Sequence, residues 1–275
     1  MRIFYTAGHL QESVHAQLNQ WAFIPTMGAL HQGHLSLIHK AKEQGHKTVV
    51  SIFVNPTQFN NSEDLNKYPR TVFEDLIKLS QAGVDAVFLP AVTEIYPATH
   101  ELQKVILGVE AQNLEGYFRP GHFEGVVMVL RRLFSMVKPG HVFFGQKDLQ
   151  QCMVVRRLIL EEFNHIKFNM IETIREDDGL AMSSRNVRLS ADERKVACEI
   201  YRILEQLTTN DMSTDDLSYL VRVLATKGIQ TEYLNYVTLP QLEVVSTRQE
   251  ACAAVYAGYL GNVRLIDNVV FREII

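Results

Sequence analysis

The sequence has little of what would mark a secreted, membrane-bound or nucleic-acid-binding chain. Its three cysteines, Cys152, Cys198 and Cys252, are odd in number and far apart, giving neither a disulfide framework nor a metal-ligand spacing. There is one tryptophan, and 27 Lys and Arg against 31 Asp and Glu leave a formal net charge of −4. A basic, aromatic-studded surface for nucleic acid is therefore not expected. No apolar run approaches membrane-spanning length, Val49–Val54 being typical. The N-terminal Met1-Arg2-Ile3-Phe4-Tyr5 lacks the apolar stretch of a secretion signal, so a cytoplasmic location is expected. Repeats and low-complexity tracts are missing. So are the two common phosphate fingerprints, Gly-x-Gly-x-x-Gly and Gly-x4-Gly-Lys-Ser/Thr, and any nucleotide site must use another device.

What is present is a well-supplied core: 47% of the 275 residues are hydrophobic and 21% charged. Short β-type runs alternate with helical patterns. Trp21–Ile24, Thr48–Val54, Val84–Leu89, His141–Phe144 and Ile166–Ile174 read as strands. His34–Gln44, Val72–Gln81, Val126–Val137 and Leu149–Glu162 read as helices. This alternation predicts an α/β fold, a Rossmann-like parallel sheet with helices on both faces. The charged stretch Arg175-Glu176-Asp177-Asp178-Gly179 reads as a boundary. Beyond it, Ser190-Ala191-Asp192-Glu193 has the form of a capping box, opening helices near Lys195–Leu207 and Asp215–Lys227. Strand-like runs follow at Glu232–Thr238, Ala251–Tyr259 and Arg264–Phe271. The expectation is two domains: residues 1–175, and a smaller α+β domain of residues 176–275.

In parallel α/β sheets ligands collect beyond the carboxyl ends of the strands. The first clear strand runs into Pro25-Thr26-Met27-Gly28-Ala29-Leu30-His31-Gln32-Gly33-His34 and then a helix. A helix start suits phosphate, glycines let a ligand come close, and imidazoles can donate to phosphate oxygens. With 10 His and 15 Gly in the chain, His-x-Gly-His is expected by chance roughly 0.02 times. The second strand ends in Phe53-Val54-Asn55-Pro56-Thr57-Gln58-Phe59, where Asn55 and Gln58 offer neutral amides to a small polar substrate, although Asn-Pro is also a common turn pair. Glu115 and Arg119, around Arg119-Pro120-Gly121-His122-Phe123, could equally form a surface ion pair. Phe144-Gly145-Gln146-Lys147-Asp148 puts a compact cation near a helix that carries Gln151, and Met182-Ser183-Ser184-Arg185-Asn186 offers two hydroxyls and a guanidinium to an anion. Either could also be a solvated turn or linker.

Taken together, these segments resemble the nucleotidylyl-transferring α/β superfamily and, within it, the pantothenate synthetase (pantoate–β-alanine ligase) family. Tyr68-Pro69-Arg70-Thr71 and Leu265-Ile266-Asp267-Asn268 complete the match, which runs in order along the chain and thins after residue 190. The resemblance implies a two-step reaction. Pantoate and ATP give pantoyl adenylate and pyrophosphate; β-alanine then displaces AMP to give pantothenate. It implies an ATP site from Met27, Gly28, Ala29, Leu30, His31, Gln32, Gly33 and His34, with His34 the proton or hydrogen-bond donor and His31 beside the triphosphate. Lys147, Ser183, Ser184 and Arg185 would hold phosphates, with Gly145, Gln146, Asp148, Ile174 and Met182 around the nucleotide. Gln58, Gln151 and Asn55 would bind pantoate, Gln58 also meeting β-alanine. Mg2+ would accompany ATP, the second domain would cover the site, and a homodimer is implied.

Two departures from the family pattern touch loops rather than this chemistry: Pro97–Val105 is short, and Glu124 stands where a basic residue is frequent. A superfamily enzyme that makes a dinucleotide or CDP-alcohol would need a phosphorylated acceptor, and the Asn55 and Gln58 amides, with few nearby cations, suit one poorly. An RNA-binding module would be more basic and richer in aromatics. A non-catalytic scaffold would leave five polar clusters at ligand-facing positions unexplained.

Overall fold

The computed structural model describes residues 1–14, 21–60, 62–98 and 105–272. Residues 99–104 of the short Pro97–Val105 stretch lie outside them. The first part of the chain runs β1 (Arg2–Phe4), α1 (Ala7–Val14), β2 (Trp21–Thr26), α2 (Gln32–Glu43), β3 (Lys47–Ile52), α3 (Ser62–Lys67), α4 (Val72–Gln81), β4 (Ala86–Phe88) and α5 (Val92–Ile95). It continues through α6 (Glu115–Phe118), α7 (His122–Val137), β5 (His141–Gly145), α8 (Leu149–Glu162) and β6 (Lys167–Ile171). The remainder is α9 (Ala191–Thr209), α10 (Thr214–Thr226), β7 (Ile229–Val237), β8 (Val244–Val245), β9 (Ala253–Leu260) and β10 (Val263–Val270).

Strands β1 to β6 form a parallel sheet in the order β1-β4-β3-β2-β5-β6. Successive strand residues point to opposite faces, and here both faces are apolar. Trp21, Phe23, Val49, Phe88, Val142 and Phe144 pack toward α7 and α8. Ala22, Ile24, Val50, Val87 and Phe143 pack with Leu37, Ile38 and Ala41 of α2 and Leu79 of α4. This gives the doubly covered α/β architecture expected from the β-α-β pattern.

The second sheet is antiparallel, in the order β10-β9-β7-β8. Tyr236, Ala254 and Tyr256 face α9 and α10, burying Leu204, Leu207, Leu220 and Leu224 with them. The alternate residues Val237, Ala253 and Val255 join the core of the first sheet, so the two sheets share apolar packing. Helix α9 starts at the capping box written in its sequence: Ser190 Oγ accepts from Glu193 N at 3.2 Å, and Glu193 Oε2 accepts from Ser190 N at 2.7 Å.

Helices α4 and α8 occupy the expected spans. The short edge strand β1 and helix α1 have no counterpart in the sequence reading. Three residues, two of them exposed, are too few to show a strand period. Helix α7 begins at His122 rather than Val126, because Gly121 takes a left-handed φ of 83° and the chain turns into the helix there. Strand β6 ends at Ile171, short of Ile174, and residues 172–174 line a cavity instead.

One glycine fixes how α7 meets the turn after β3. A Cβ on Gly125 would lie 2.4 Å from the Thr57 carbonyl oxygen and 2.7 Å from Gln58 Cα. Backbone on both sides leaves no side chain to give way. Gly125→Ala is expected to lower stability by about 1–3 kcal/mol, the usual effect of overpacking, seen as a lower urea midpoint. An unchanged midpoint would show that the turn can retreat freely.

Candidate active site

The strand order reverses between β2 and β5: the chain leaves β2 toward β3 and leaves β5 toward β6. Their carboxyl ends therefore open a crevice at the switch point, where open α/β sheets place ligands. A cavity of about 230 Å³ lies there, lined among others by Met27, His31, His34, Gln58, Lys147 and Gln151.

The turn from β2 into α2 is held from behind by α4. Asp75 is fully buried, and its carboxylate accepts Ala29 N at 2.9 Å, Leu30 N at 2.8 Å and Thr71 Oγ1 at 3.2 Å. Lys78 Nζ, one helical turn on, donates to Leu30 O at 2.6 Å. These contacts hold Ala29 at a φ of 51° and Gly28 at 84°, and the chain enters α2 with His31 as its cap. His31 Nδ1 accepts from Gly33 N at 3.2 Å, and His34 Nδ1 accepts from His31 N at 3.3 Å. It is a reciprocal capping box built from two imidazoles. With both Nδ1 atoms accepting, the proton of each ring is on Nε2. The rings lie 4.1 Å apart, centroid to centroid. Burial, then the Lys147 charge, lowers the His31 pKa to about 4; burial, then His31, lowers that of His34 to about 3. Both are neutral N–H donors at ordinary pH.

Gln58 enters from the turn after β3. Its Oε1 accepts from Asn55 Nδ2 at 3.0 Å, and its Nε2 donates to Met27 Sδ at 3.1 Å. Asn55, expected to meet substrate itself, is only 1% exposed. Its second amide hydrogen goes to Gly125 O at 3.0 Å, and its Oδ1 accepts from Thr57 N, Thr57 Oγ1 and Tyr96 OH. It lines the cavity with its amide committed in this way, Gln58 among its partners.

Across the crevice, Lys147 follows β5. Asn268 of β10 braces this turn, its Nδ2 donating to Gln146 O at 2.9 Å and Lys147 O at 3.0 Å. The neighbouring Asp267 is buried and bound by Arg175 at 2.6 and 3.0 Å. Ile174, Met182, Ser183, Ser184 and Arg185 line the same cavity, as do Gly145 and Asp148. Arg185 is tied to Asp64 of α3 at 2.8 Å, beside Arg188 at 2.9 Å, and Ser184 Oγ lies 3.3 Å from Tyr68 OH.

Five residues expected at the nucleotide do not line this cavity. Gly28 N donates to Thr26 Oγ1 at 3.3 Å, and Ala29 and Leu30 sit behind the wall on Asp75, with the Leu30 side chain in the core. Gln32 is exposed on α2. Gln146 turns to the second sheet, where its Nε2 donates to Asn268 Oδ1 at 3.2 Å. The sequence reading, in turn, has no role for Asp75, Lys78, Asp64 or Asn268. Asp75 did leave a signal: it lies four residues before Leu79 on the apolar stripe of α4, a position where an acid must be paired.

The profile of the family described as pantoate-beta-alanine ligase matches residues 2–270. The chain belongs to this family. A pantothenate synthetase of Cytophaga hutchinsonii is 45% identical over 259 residues, covering 90% of each chain. The crystal structure of the pantothenate synthetase from Thermus thermophilus superposes with a TM-score of 0.90 at 36% identity, covering 99% of this chain and 100% of that one. The pantoate-beta-alanine ligase of Francisella tularensis, solved in complex with β-γ ATP and β-alanine, gives a TM-score of 0.86 at 34% identity, with 98% of both chains covered.

Two outcomes follow for this ligase fold. Asp75→Ala leaves the Ala29 and Leu30 amides without their acceptor. It should destabilise the protein by about 1–3 kcal/mol for each group left unsatisfied and lower activity by misplacing His31 and His34. Wild-type turnover in the folded variant would show that the turn holds itself. The second concerns pH. His31, His34 and His122 have folded pKa values lowered to about 4, 3 and 4 from 6.5, burial being the first cause in each. Below pH 6.5 the unfolded chain binds protons that the folded one refuses. Their contribution is thus complete above 6.5 and is lost as pH falls toward 4. The melting temperature of the free protein should drop between pH 6.5 and 4.5, and His34→Gln should flatten that slope.

Proposed function

We propose that this chain condenses pantoate with β-alanine at the expense of ATP, through pantoyl adenylate, and that the crevice between β2 and β5 carries both steps. A carboxylate acylates poorly because oxide would have to leave; as an acyl adenylate it expels AMP instead. The protein then has little covalent work. It must hold the reactants in line and offset charge on phosphate oxygens.

The observation that carries this reading is the division of charge around the cavity. Gln58 and Gln151 would hold pantoate with neutral amides. A cation fixed on the attacking carboxylate would stabilise its ground state and oppose attack. The Nε2–H groups of His34 and His31 would donate to the phosphate oxygens, at the start of α2 with its partial positive charge. Lys147, Ser183, Ser184 and Arg185 would receive the departing pyrophosphate. Gly145, Asp148, Ile174 and Met182 would enclose the nucleoside, Asp148 through the ribose.

Mg2+ would come in on ATP, held by phosphate oxygens and water. Among the described residues no three His, Cys, Asp or Glu side chains are grouped to hold a metal. Its chemistry would be to neutralise phosphate charge. Residues 176–275 would act as a cover, with the 183–185 loop above the triphosphate excluding water from the adenylate. The tie from Arg185 to Asp64 supports a loop that already leans across the crevice. We take the ligase to be a cytoplasmic homodimer. No helix among the described residues is long and apolar enough to cross a membrane.

The test is a product assay with ATP, Mg2+ and pantoate, with and without β-alanine. AMP and pantothenate should appear together when both substrates are present. Loss of a preorganised donor commonly costs about 10²–10³ in rate, so His34→Ala should slow adenylate formation by that order while the protein stays folded. Near-normal pyrophosphate release would remove His34 from this role.

A further inference from the structure

The crevice does not end at the phosphate loop. Beyond it lies a larger cavity of about 510 Å³, and Arg119, Lys147, Asp148, Ser183 and Arg185 border both spaces. Several charges on the outer walls are answered. Arg264 is bound to Glu115 and Glu232, Asp267 to Arg175, and Lys67 to Glu63. Arg119 is held at the border. One of its N–H groups goes to His122 Nε2 at 3.2 Å, because Nδ1 of that ring donates to the Gln58 carbonyl oxygen at 2.9 Å. At one place, however, cations outnumber acids. Asp64 of α3 takes Arg185 on one carboxylate oxygen at 2.8 Å and Arg188 on the other at 2.9 Å. Two guanidinium groups thus share a single carboxylate, with their side chains 26% and 27% exposed. Among the described residues, the Arg185 side chain donates to Asp64 alone, and Arg188 adds a long contact of 3.4 Å to Asn262 O. Most of each fork is open to a ligand. The two arginines also face different spaces: Arg185 borders both cavities, whereas Arg188 and Asp64 line the outer one alone.

Neighbouring arginine forks fit the oxygens of a phosphate anion. We propose that Arg188, with Arg185 and Asp64, forms an exit site for pyrophosphate in the outer cavity, one step outward from where it is made. This rests on the ligase reading above. Adenylate formation is reversible. While pyrophosphate stays beside the adenylate, one of its oxygens can attack the α-phosphorus, expel the pantoate carboxylate and restore ATP. An anion drawn outward no longer lies in line for that attack. Arg185 holds pyrophosphate at the inner side of the border, and Arg188 receives it on the outer side. Asp64 sets the strength of the site. Its carboxylate offsets one of the two positive charges, so the anion is attracted and then released.

Pantoate-dependent exchange of labelled pyrophosphate into ATP tests this in Arg188→Met, Arg188→Lys and Asp64→Asn, with pyrophosphate and ATP varied separately. In Arg188→Met the pyrophosphate concentration for half-maximal exchange should rise by about 5–10-fold, as for loss of a charge-assisted contact partly open to water, and that for ATP by less than about twofold. Arg188→Lys should recover part of the loss. Asp64→Asn should lower the pyrophosphate value, since the arginines are then no longer offset. An unchanged pyrophosphate value in the folded Arg188→Met variant would overturn the proposal. So would an equal rise for ATP and pyrophosphate, because Arg188 would then serve the triphosphate or the fold. A higher pyrophosphate value in Asp64→Asn would overturn the balance assigned to that carboxylate. No pantoate-dependent exchange in the unaltered enzyme would instead refute the ligase reading itself.

Discussion

The chemistry of this chain depends on two neutral imidazoles at the start of a helix, and their placement traces back to the buried carboxylate of Asp75. Its two oxygens take the backbone N–H groups of Ala29 and Leu30, and Lys78 takes the Leu30 carbonyl. A strand-to-helix turn with two consecutive residues at positive φ does not hold itself, since only glycine adopts that region readily. A charged acceptor nearby makes the strained conformation the one with satisfied amides. The histidines then cap each other, and capping decides which nitrogen of each ring is left for a ligand. Helix α4, which contributes no residue to the cavity wall, therefore determines the direction of the donors within it.

The same economy joins the two sheets. Apolar packing brings β7 and β9 against the core of the first sheet, but it does not choose an exact register. Three polar ties do. Arg175 clasps Asp267, Asn268 accepts and donates to the Gln146–Lys147 turn, and Arg264 clasps Glu115. The last pair holds the Glu115 carboxyl down at about 2 despite burial, through hydrogen bonds and charge from Arg264. Buried pairs of this kind add little net stability over apolar packing, and breaking one leaves a stranded charge worth about 3–5 kcal/mol. Their value here is positional: each fixes a turn that borders the cavity.

The fold was largely legible in the sequence because most of its strands are short apolar runs, although β2 continues through Pro25 to Thr26, and its helices carry a clear stripe. Val72–Gln81 and Leu149–Glu162 coincide with the helices observed. Edge strand β1 was not legible, since its pairing with β4 rests on a contact more than 80 residues away in the chain. The site divides in the same manner. Met27, His31, His34, Gln58, Lys147 and Arg185 follow strand ends directly or stand in a distinctive loop, and they meet in one cavity. Gln146 was expected at the nucleotide because sequence shows an amide but not what has already engaged it. Asp75, Asp64 and Asn268 act on turns that are distant in the chain; the place of Asp75 on an apolar stripe marks it as paired, but no local pattern names the partner.

A ligase of this kind faces conflicting electrostatic demands within a few ångströms. Phosphate oxygens need positive charge, whereas the attacking carboxylate must keep its electron density. The chain separates the two by distance and by protonation state. Lys147 and Arg185 lie on the β5 side and in the 183–185 loop, while the β3 side presents the Gln58 amide, its oxygen already taken by Asn55, with Arg119 the cation that lines the cavity beyond His122. Between them stand His31 and His34, whose pKa values, lowered by burial, leave them as donors without charge. His122 repeats the device with the opposite tautomer. Its neutral ring transmits orientation from the Gln58 carbonyl to Arg119 without adding charge beside the nucleophile. Exchanging any of these three rings for a permanent cation would strengthen ground-state binding of an anion and weaken the separation on which attack depends. Histidine serves here because burial can keep it neutral, and its two nitrogens can face two partners at once.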